Sequence, residues 1–292
     1  MHQTLAARLR TLLILGRVSN LPTVWSNCLA GWWLAGAGNS SRLPWLLLGM
    51  SSLYLSGMYL NDAFDAEFDR QRRTTRPIPS GQISAPEVWR YGWAWLGSGI
   101  LLLFATGLLA GTLSLVLAAF IILYNQSHKL VTASPWLMGI CRFWVYFIAG
   151  IAGAADPDAM VGWTVWCGLA LALYIVGLSY VARRESYRSP VPYWPLLLLA
   201  APFFLAWLMD PGESRPAGLW IAAVLALWIA RCVRPVLLSG TVNVGRVVSG
   251  LLAGIVFVDW LAVAPECPRG LSLVFLALFG TTQALQRYIP AT

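Results

Sequence analysis

The sequence predicts an all-α fold, a polytopic integral membrane helical bundle. Three observations carry that expectation. Of the 292 residues, 58% are hydrophobic and 11% are charged, whereas soluble domains carry roughly 25% charged residues; mean hydropathy is +0.67. Apolar stretches recur that are long enough, or nearly so, to cross about 30 Å of hydrocarbon. Arginine and lysine crowd alternate connections, as the positive-inside bias of membrane helices requires. The net charge of +8 therefore reads as topology and attraction to anionic headgroups, with no nucleic acid implied.

In chain order, MHQTLAARLRTLLILGR has no small-residue cleavage site and reads as an interfacial amphipathic helix leading into the first span. Ten candidate spans follow, at 20–38, 44–62, 88–109, 112–127, 136–155, 161–182, 194–209, 217–236, 245–264 and 270–287. Fifteen of the twenty basic residues fall at the N-terminus, at every second connection and at the C-terminus, against three in the other connections. That asymmetry places the N-terminus on the cytoplasmic side. Sixteen tryptophans and ten tyrosines suit helix ends at the two interfaces. No connection is long enough for a soluble domain, so residues 1–292 read as a single bundle domain. Cys28, Cys141, Cys167, Cys232 and Cys267 show no metal spacing and read as small apolar residues. Gly107 with Gly111 and Gly250 with Gly254 read as helix-packing positions. Residues 54–69 align weakly with 174–189, which raises an internal duplication. Asp259, beside Trp260, is expected near the outer interface.

The second span ends in NDAFDAEFDRQRRTTRPIP (61–79), which gathers four of the twelve acidic residues within eight positions and follows them with four arginines. On a helix, Asn61, Asp62, Asp65 and Asp69 fall within an arc of about 100°, with Glu67 on the far side. Carboxylates aligned at a membrane boundary repel one another and lose hydration, so they call for a cation. Hard oxygen ligands suit Mg²⁺, which commonly bridges carboxylates to substrate phosphates. Arg70, Arg72, Arg73, Arg76, Lys129, Arg183 and Arg184 could neutralise a diphosphate, because guanidinium groups bind phosphate oxygens bidentately.

NDxxDxxxD followed by arginines and an Arg-Pro, placed after the second span, resembles the first signature of the UbiA superfamily of intramembrane prenyltransferases. Arg17 with Asn20, Tyr124 with Lys129, Gly139 with Arg142, and the region of Glu185 resemble the family more loosely along nearly the whole chain. The resemblance implies a bundle of usually nine helices around a central cavity, in which Mg²⁺ held by two acidic motifs binds an isoprenyl diphosphate. Carried onto this chain, Asn61, Asp62, Asp65 and Asp69 would hold metal and diphosphate. Arg72, Arg73 and Arg76 would be their basic neighbours, and Lys129 near Tyr124 would neutralise the leaving group. Asn20, with Arg17, would face the acceptor.

Two departures stand out. The family commonly spaces its tyrosine and lysine as YxxxK, whereas here His128 takes the expected position and Lys129 follows; His128 reads as a cytoplasmic-loop residue. The second acidic motif is reduced to Ala182, Arg183, Arg184, Glu185 and Ser189. Glu185 could still ligate a metal, and Arg183 and Arg184 could replace a second metal by binding diphosphate directly. The expected activity is transfer of an isoprenyl group to an aromatic or other lipophilic acceptor, at the cytoplasmic face of a bacterial inner membrane. The alternative is a diverged relative that acts as a binding or assembly subunit, or moves a lipid-like molecule.

Overall fold

The computed structural model describes residues 4–38, 40–154, 161–187, 194–209, 215–238 and 243–291, apart from the side chains of 161, 184–187, 209, 215–217, 237 and 238. The chain is all-helical. Helices α1 (Leu5–Leu15), α2 (Leu21–Leu34), α3 (Leu43–Phe64) and α4 (Ala66–Arg72) lead into α5 (Ala85–Phe104), α6 (Leu108–Ser127) and α7 (Ser134–Gly153). Then come α8 (Val161–Tyr187), the short α9 (Trp194–Leu198) and α10 (Ala201–Met209), and α11 (Arg215–Leu238), α12 (Val244–Val263) and α13 (Arg269–Leu285).

Among the described residues, six helical stretches are long and apolar enough to cross a membrane: Ser40–Phe64, Leu108–Ser127, Ser134–Gly153, Gly162–Arg183, Gly218–Val236 and Val244–Glu266. Trp194–Leu208 and Arg269–Leu285 are apolar but shorter. The other two sequence candidates are α2, with 14 residues, and α5, whose first turns carry Glu87 and Arg90. The N-terminal segment forms its own helix, tied to the start of α5 by Arg8 Nη2 to Glu87 Oε1 at 3.2 Å. Glu87 is also the far half of a capping box with Ser84, which starts α5 with Pro86 in its first turn.

Among the described residues three apolar clusters build the bundle, the smallest around Leu15, Tyr59 and Val88 and the other two larger. One joins α2, α3, α5, α6 and α7 through residues such as Leu53, Leu117 and Ile148; the other joins α8, α11, α12 and α13 through Leu171, Leu225, Leu251 and Phe275. Helices α7 and α2 lie between them and approach closely: a Cβ at Gly31 would sit 2.5 Å from the Tyr146 carbonyl oxygen. The Gly250 and Gly254 pair is a packing seam within the chain, facing Cys232 of α11 and Tyr174 of α8.

Candidate active site

The charged stretch begins inside a membrane helix and leaves it through a slight break. Helix α3 runs to Phe64, Asp65 caps it, and α4 resumes at Ala66. The backbone ladder survives the break, with Asp65 N–H donating to Asn61 at 3.0 Å and Asp69 N–H to Asp65 at 2.8 Å. Asn61, Asp62, Asp65 and Asp69 are therefore all turned inward and buried, while Glu67 lies outside, paired with Arg70 at 2.6 Å.

Each inward acid meets a base. Arg76 Nη1 bridges Asp62 Oδ1 at 3.0 Å and Asp69 Oδ2 at 3.1 Å. Arg17 Nη2 reaches the same Asp62 oxygen at 3.0 Å and Asn61 Oδ1 at 3.3 Å. Lys129 Nζ lies 2.8 Å from Asp65 Oδ1, and His128 Nε2 lies 3.3 Å from Asp65 Oδ2. Burial pushes the Asp65 carboxyl up, but His128 and Lys129 outweigh it and hold the group below its ordinary value. Burial pulls Lys129 below its ordinary value against the upward effect of Asp65, and burial together with Arg17 does the same to Arg76. Lys129 also sits over the Phe68 ring, 3.5 Å from its centroid.

Arg17 carries a backbone cost for its place. Its φ of 41° and ψ of 47° are left-handed, a conformation that costs an L-residue roughly 1–2 kcal/mol. The Tyr54 hydroxyl donates to its carbonyl at 3.1 Å and holds the turn. Asn125 locks α6 to α3: it accepts from Asn61 Nδ2 at 3.2 Å and donates to the Gly57 carbonyl at 3.2 Å.

Asn61, Asp65 and the basic residues around them line a cavity of about 290 Å³ together with many apolar residues, while Asp62 and Asp69 are not among its lining residues. Asn61, Asp65, Arg73, Arg76, His128, Lys129 and Arg183 supply its charged lining; Val24, Met50, Leu53, Leu117, Ile121, Val145, Ile175 and Leu178 supply much of the apolar lining, with Asn20 and Arg142 among them. Tyr124 joins the wall, stacked on His128 with centroids 5.2 Å apart. Arg183 is held by the carbonyls of Val131 and Thr132 at 2.9 and 2.8 Å and by the Ser134 hydroxyl at 3.1 Å.

Most of the expected residues converge here, with three differences. Arg72 is exposed, 5.0 Å from the Phe68 centroid, and does not line the cavity; the helical turn through α4 points it away from Arg73 and Arg76. His128 is a cavity residue on Asp65, because one helical turn separates it from Tyr124. Asn20 borders the cavity, but its amide is engaged with the C-terminal segment, donating to the Ala291 carbonyl at 2.9 Å and accepting from Gln286 at 3.4 Å. Asp259 is fully buried within the bundle: its Oδ2 accepts from Ser26 at 2.5 Å and from Asn27 at 2.7 Å. The side chains of Arg184 and Glu185 lie outside the described residues, as do Arg188 and Ser189.

Asn125, Ser26 and Asn27 carried no signal in the sequence, and neither the contact of His128 with Asp65 nor that of Asp259 with Ser26 and Asn27 was legible there. An acid inside an apolar span was the available signal for Asp259, since intramembrane ionisable residues are costly and face partners.

A model described as the UbiA prenyltransferase family matches residues 22–190. The chain belongs to the UbiA prenyltransferase family. A protoheme IX farnesyltransferase from Synechococcus sp. (strain JA-3-3Ab) is 27% identical over 216 residues, 67% of this chain and 61% of that protein. A digeranylgeranylglyceryl phosphate synthase from Ignicoccus hospitalis is 33% identical over 124 residues, 42% of this chain and 41% of that protein. The chain thus spans about half the length of the curated relatives it matches. The apo structure of a UbiA homologue from Aeropyrum pernix K1 superposes with a TM-score of 0.54 at 20% identity, covering 94% of this chain and 97% of that one. A UbiA homologue from Archaeoglobus fulgidus bound to DMAPP and Mg²⁺ gives a TM-score of 0.52 at 15% identity, with 94% and 98% covered. These structural likenesses establish the shared fold, and with the family match and the apolar helices they make the chain an integral membrane protein.

The UbiA acidic stretch suits a hard divalent cation. Its donors are all oxygen, and Asp69 Oδ1 is buried without a hydrogen-bond partner. Among the described residues, no three His, Cys, Asp or Glu converge to hold an ion by themselves. A cation here would therefore share its ligands with Asn61 and with phosphate oxygens of a substrate.

Proposed function

We propose that this UbiA-family chain transfers an isoprenyl group from an isoprenyl diphosphate to an aromatic or other lipophilic acceptor within the membrane, releasing diphosphate with Mg²⁺ as cofactor. One observation carries the reading: a single cavity joins a charged rim to an apolar wall, which matches the two ends of an isoprenyl diphosphate. The protoheme IX farnesyltransferase relative and the homologue bound to DMAPP and Mg²⁺ support it.

Asn61, Asp62, Asp65 and Asp69 would hold Mg²⁺, which as a Lewis acid neutralises charge on the departing diphosphate. Arg73, Arg76, Lys129 and Arg183 bind its remaining oxygens and stabilise the charge that develops as the allylic C–O bond breaks. Tyr124 and the apolar wall exclude water and hold the isoprenyl chain. Arg17 fixes Asn61 and Asp62 in place. Arg184, beyond Arg183, adds positive charge at the same helix end, and Glu185 is a further candidate ligand. The positive-inside bias puts this rim and the N-terminus on the cytoplasmic side of the cell membrane.

The purified full chain, supplied with Mg²⁺ and isoprenyl diphosphates of increasing length, releases diphosphate in the presence of a lipophilic acceptor. No release with any donor, while geranyl diphosphate still binds, would favour the second reading, a diverged family member that binds or moves a prenyl lipid. What favours that reading is that Arg17 and Arg76 already pair with Asp62, and Arg76 with Asp69 Oδ2.

A further inference from the structure

The cavity has a floor, and three helices place it at the same depth. On α3 the lining residues follow one helical face, Asn61, Met58, Gly57, Tyr54, Leu53 and Met50, and stop there. On α6 they run from His128 to Leu117, and on α7 from Ser134, which holds Arg183, to Val145. From Asn61 to Met50, from His128 to Leu117 and from Ser134 to Val145 the chain advances eleven residues each time, about 16 Å along a helix axis. Val24 of α2 lines the cavity too and belongs to the same apolar cluster as Met50 and Leu117.

Below these four residues the helices close on one another. The next turns carry Cys28, Leu46, Ser114 and Ile148, all fully buried and none of them in the lining. On the opposite side, α8 and α12 line the cavity down to Ile175 and Leu252, and Leu171 and Ile255 one turn further on are fully buried. The cavity therefore ends on packed core. Its sides differ above that floor. Arg142 lies on the α7 side and is turned to α2, where its Nη1 donates to Asn27 at 2.6 Å and its Nη2 to Thr23 at 3.4 Å. Helices α3 and α6 meet at Gly57 and Ile121, and with Leu53 they give an apolar wall that leads from Asn61 to Met50 and Leu117.

The depth of the floor sets a length. Carbon–carbon bonds of about 1.5 Å, staggered along an extended chain, advance it by about 5 Å for each isoprenyl unit of four backbone carbons. Three units span about 15 Å and four about 20 Å. The geometry points to farnesyl diphosphate, with three units, as the longest donor the cavity takes, its last unit resting on Val24, Met50, Leu117 and Val145. The inference rests on the reading of the cavity as a prenyl-transfer site and adds the chain length to it. A fourth unit overruns the floor by about 4 Å and has to displace side chains that are packed to crystal-like density.

The test measures displacement of radiolabelled geranyl diphosphate from the purified full chain, with Mg²⁺ present, by farnesyl and by geranylgeranyl diphosphate. The wild type should bind the farnesyl donor about tenfold or more tighter than the geranylgeranyl donor. Met50→Ala and Leu117→Ala deepen the floor from two different helices, and each should shift that ratio by about fivefold or more toward the longer donor. Partition of long donors into micelles is common to wild type and variants, so it cancels in the shift. Val24→Phe raises the floor and should move the preference to geranyl diphosphate, which keeps a second kind of variant in hand should the alanine variants not fold. Equal affinities for the two longer donors in the wild type overturn the proposal without any variant. A ratio unmoved in the folded variants also overturns it, since a purely structural role would weaken all three donors together. Loss of Mg²⁺-dependent geranyl diphosphate binding in the wild type counts against the prenyl-transfer reading, whereas a failed ratio with geranyl diphosphate still bound overturns only the chain length.

Discussion

Removing Arg76 separates electrostatic support from metal binding. Arg76 Nη1 is shared by Asp62 and Asp69, whose side chains are 9% and 2% exposed, and its own side chain is 18% exposed. Taking away one partner of a buried ion pair costs about 3–5 kcal/mol. Arg17 still neutralises Asp62 from the other side, and Arg76 is not fully enclosed, so Arg76→Ala should cost about 2–3 kcal/mol. At roughly 2–4 °C per kcal/mol for a chain of this order of size, the thermal midpoint in detergent should fall by about 4–12 °C. The orphaned carboxylates then become a better cation site: Mg²⁺ at about a hundred times its Kd adds ~2.7 kcal/mol, enough to restore the midpoint, while sodium at equal ionic strength does not. Arg76→Lys should recover part of the loss, because one ammonium can donate to both carboxylates as Nη1 does but is more strongly hydrated than a guanidinium. A variant as stable as the wild type in the absence of Mg²⁺ would refute the bridging role.

Other outcomes follow from the same geometry. Asp62→Ala and Asp65→Ala should each abolish diphosphate release while circular dichroism retains the helical signal; near-normal turnover in either would contradict the assigned roles. Because His128 and Lys129 hold Asp65 below its ordinary value, its contribution to stability is complete above the unfolded-state pKa and is lost as pH falls through the folded one. Thermal scans between about pH 5 and pH 2 should lose part of their slope in Asp65→Asn. Gly31→Ala should lower stability by about 1–3 kcal/mol through the clash with the Tyr146 carbonyl, whereas Gly97→Ala, with open space at its Cβ, should leave the thermal midpoint unchanged.

How much of this was legible in the sequence depended on whether partners lie close along the chain. The NDxxDxxxD stretch announced itself because helical periodicity alone turns Asn61, Asp62, Asp65 and Asp69 to one face, and the structure keeps that face through the break at Asp65. The choice among Arg72, Arg73 and Arg76 was not legible, since it depends on how the chain turns after α4. His128 lay one helical turn from Tyr124, yet its contact with Asp65 needed α3 and α6 to be docked. The contacts of Asp259 were not legible because its partners, Ser26 and Asn27, stand 233 and 232 residues away. Segment lengths also blurred: ten apolar stretches were counted, but α2 and α13 are short and α5 opens on charged residues, so composition alone could not say how each sits in the bilayer.

The most direct test of the central claim is Mg²⁺-dependent binding of geranyl diphosphate to the purified full chain, compared between wild type and Asp65→Ala. The cavity's charged rim calls for binding that requires Mg²⁺, is lost with EDTA, and falls by about tenfold or more in the variant. Binding that is equally tight without a divalent cation, or unchanged by loss of Asp65, would contradict the assignment of this rim as a metal–diphosphate site.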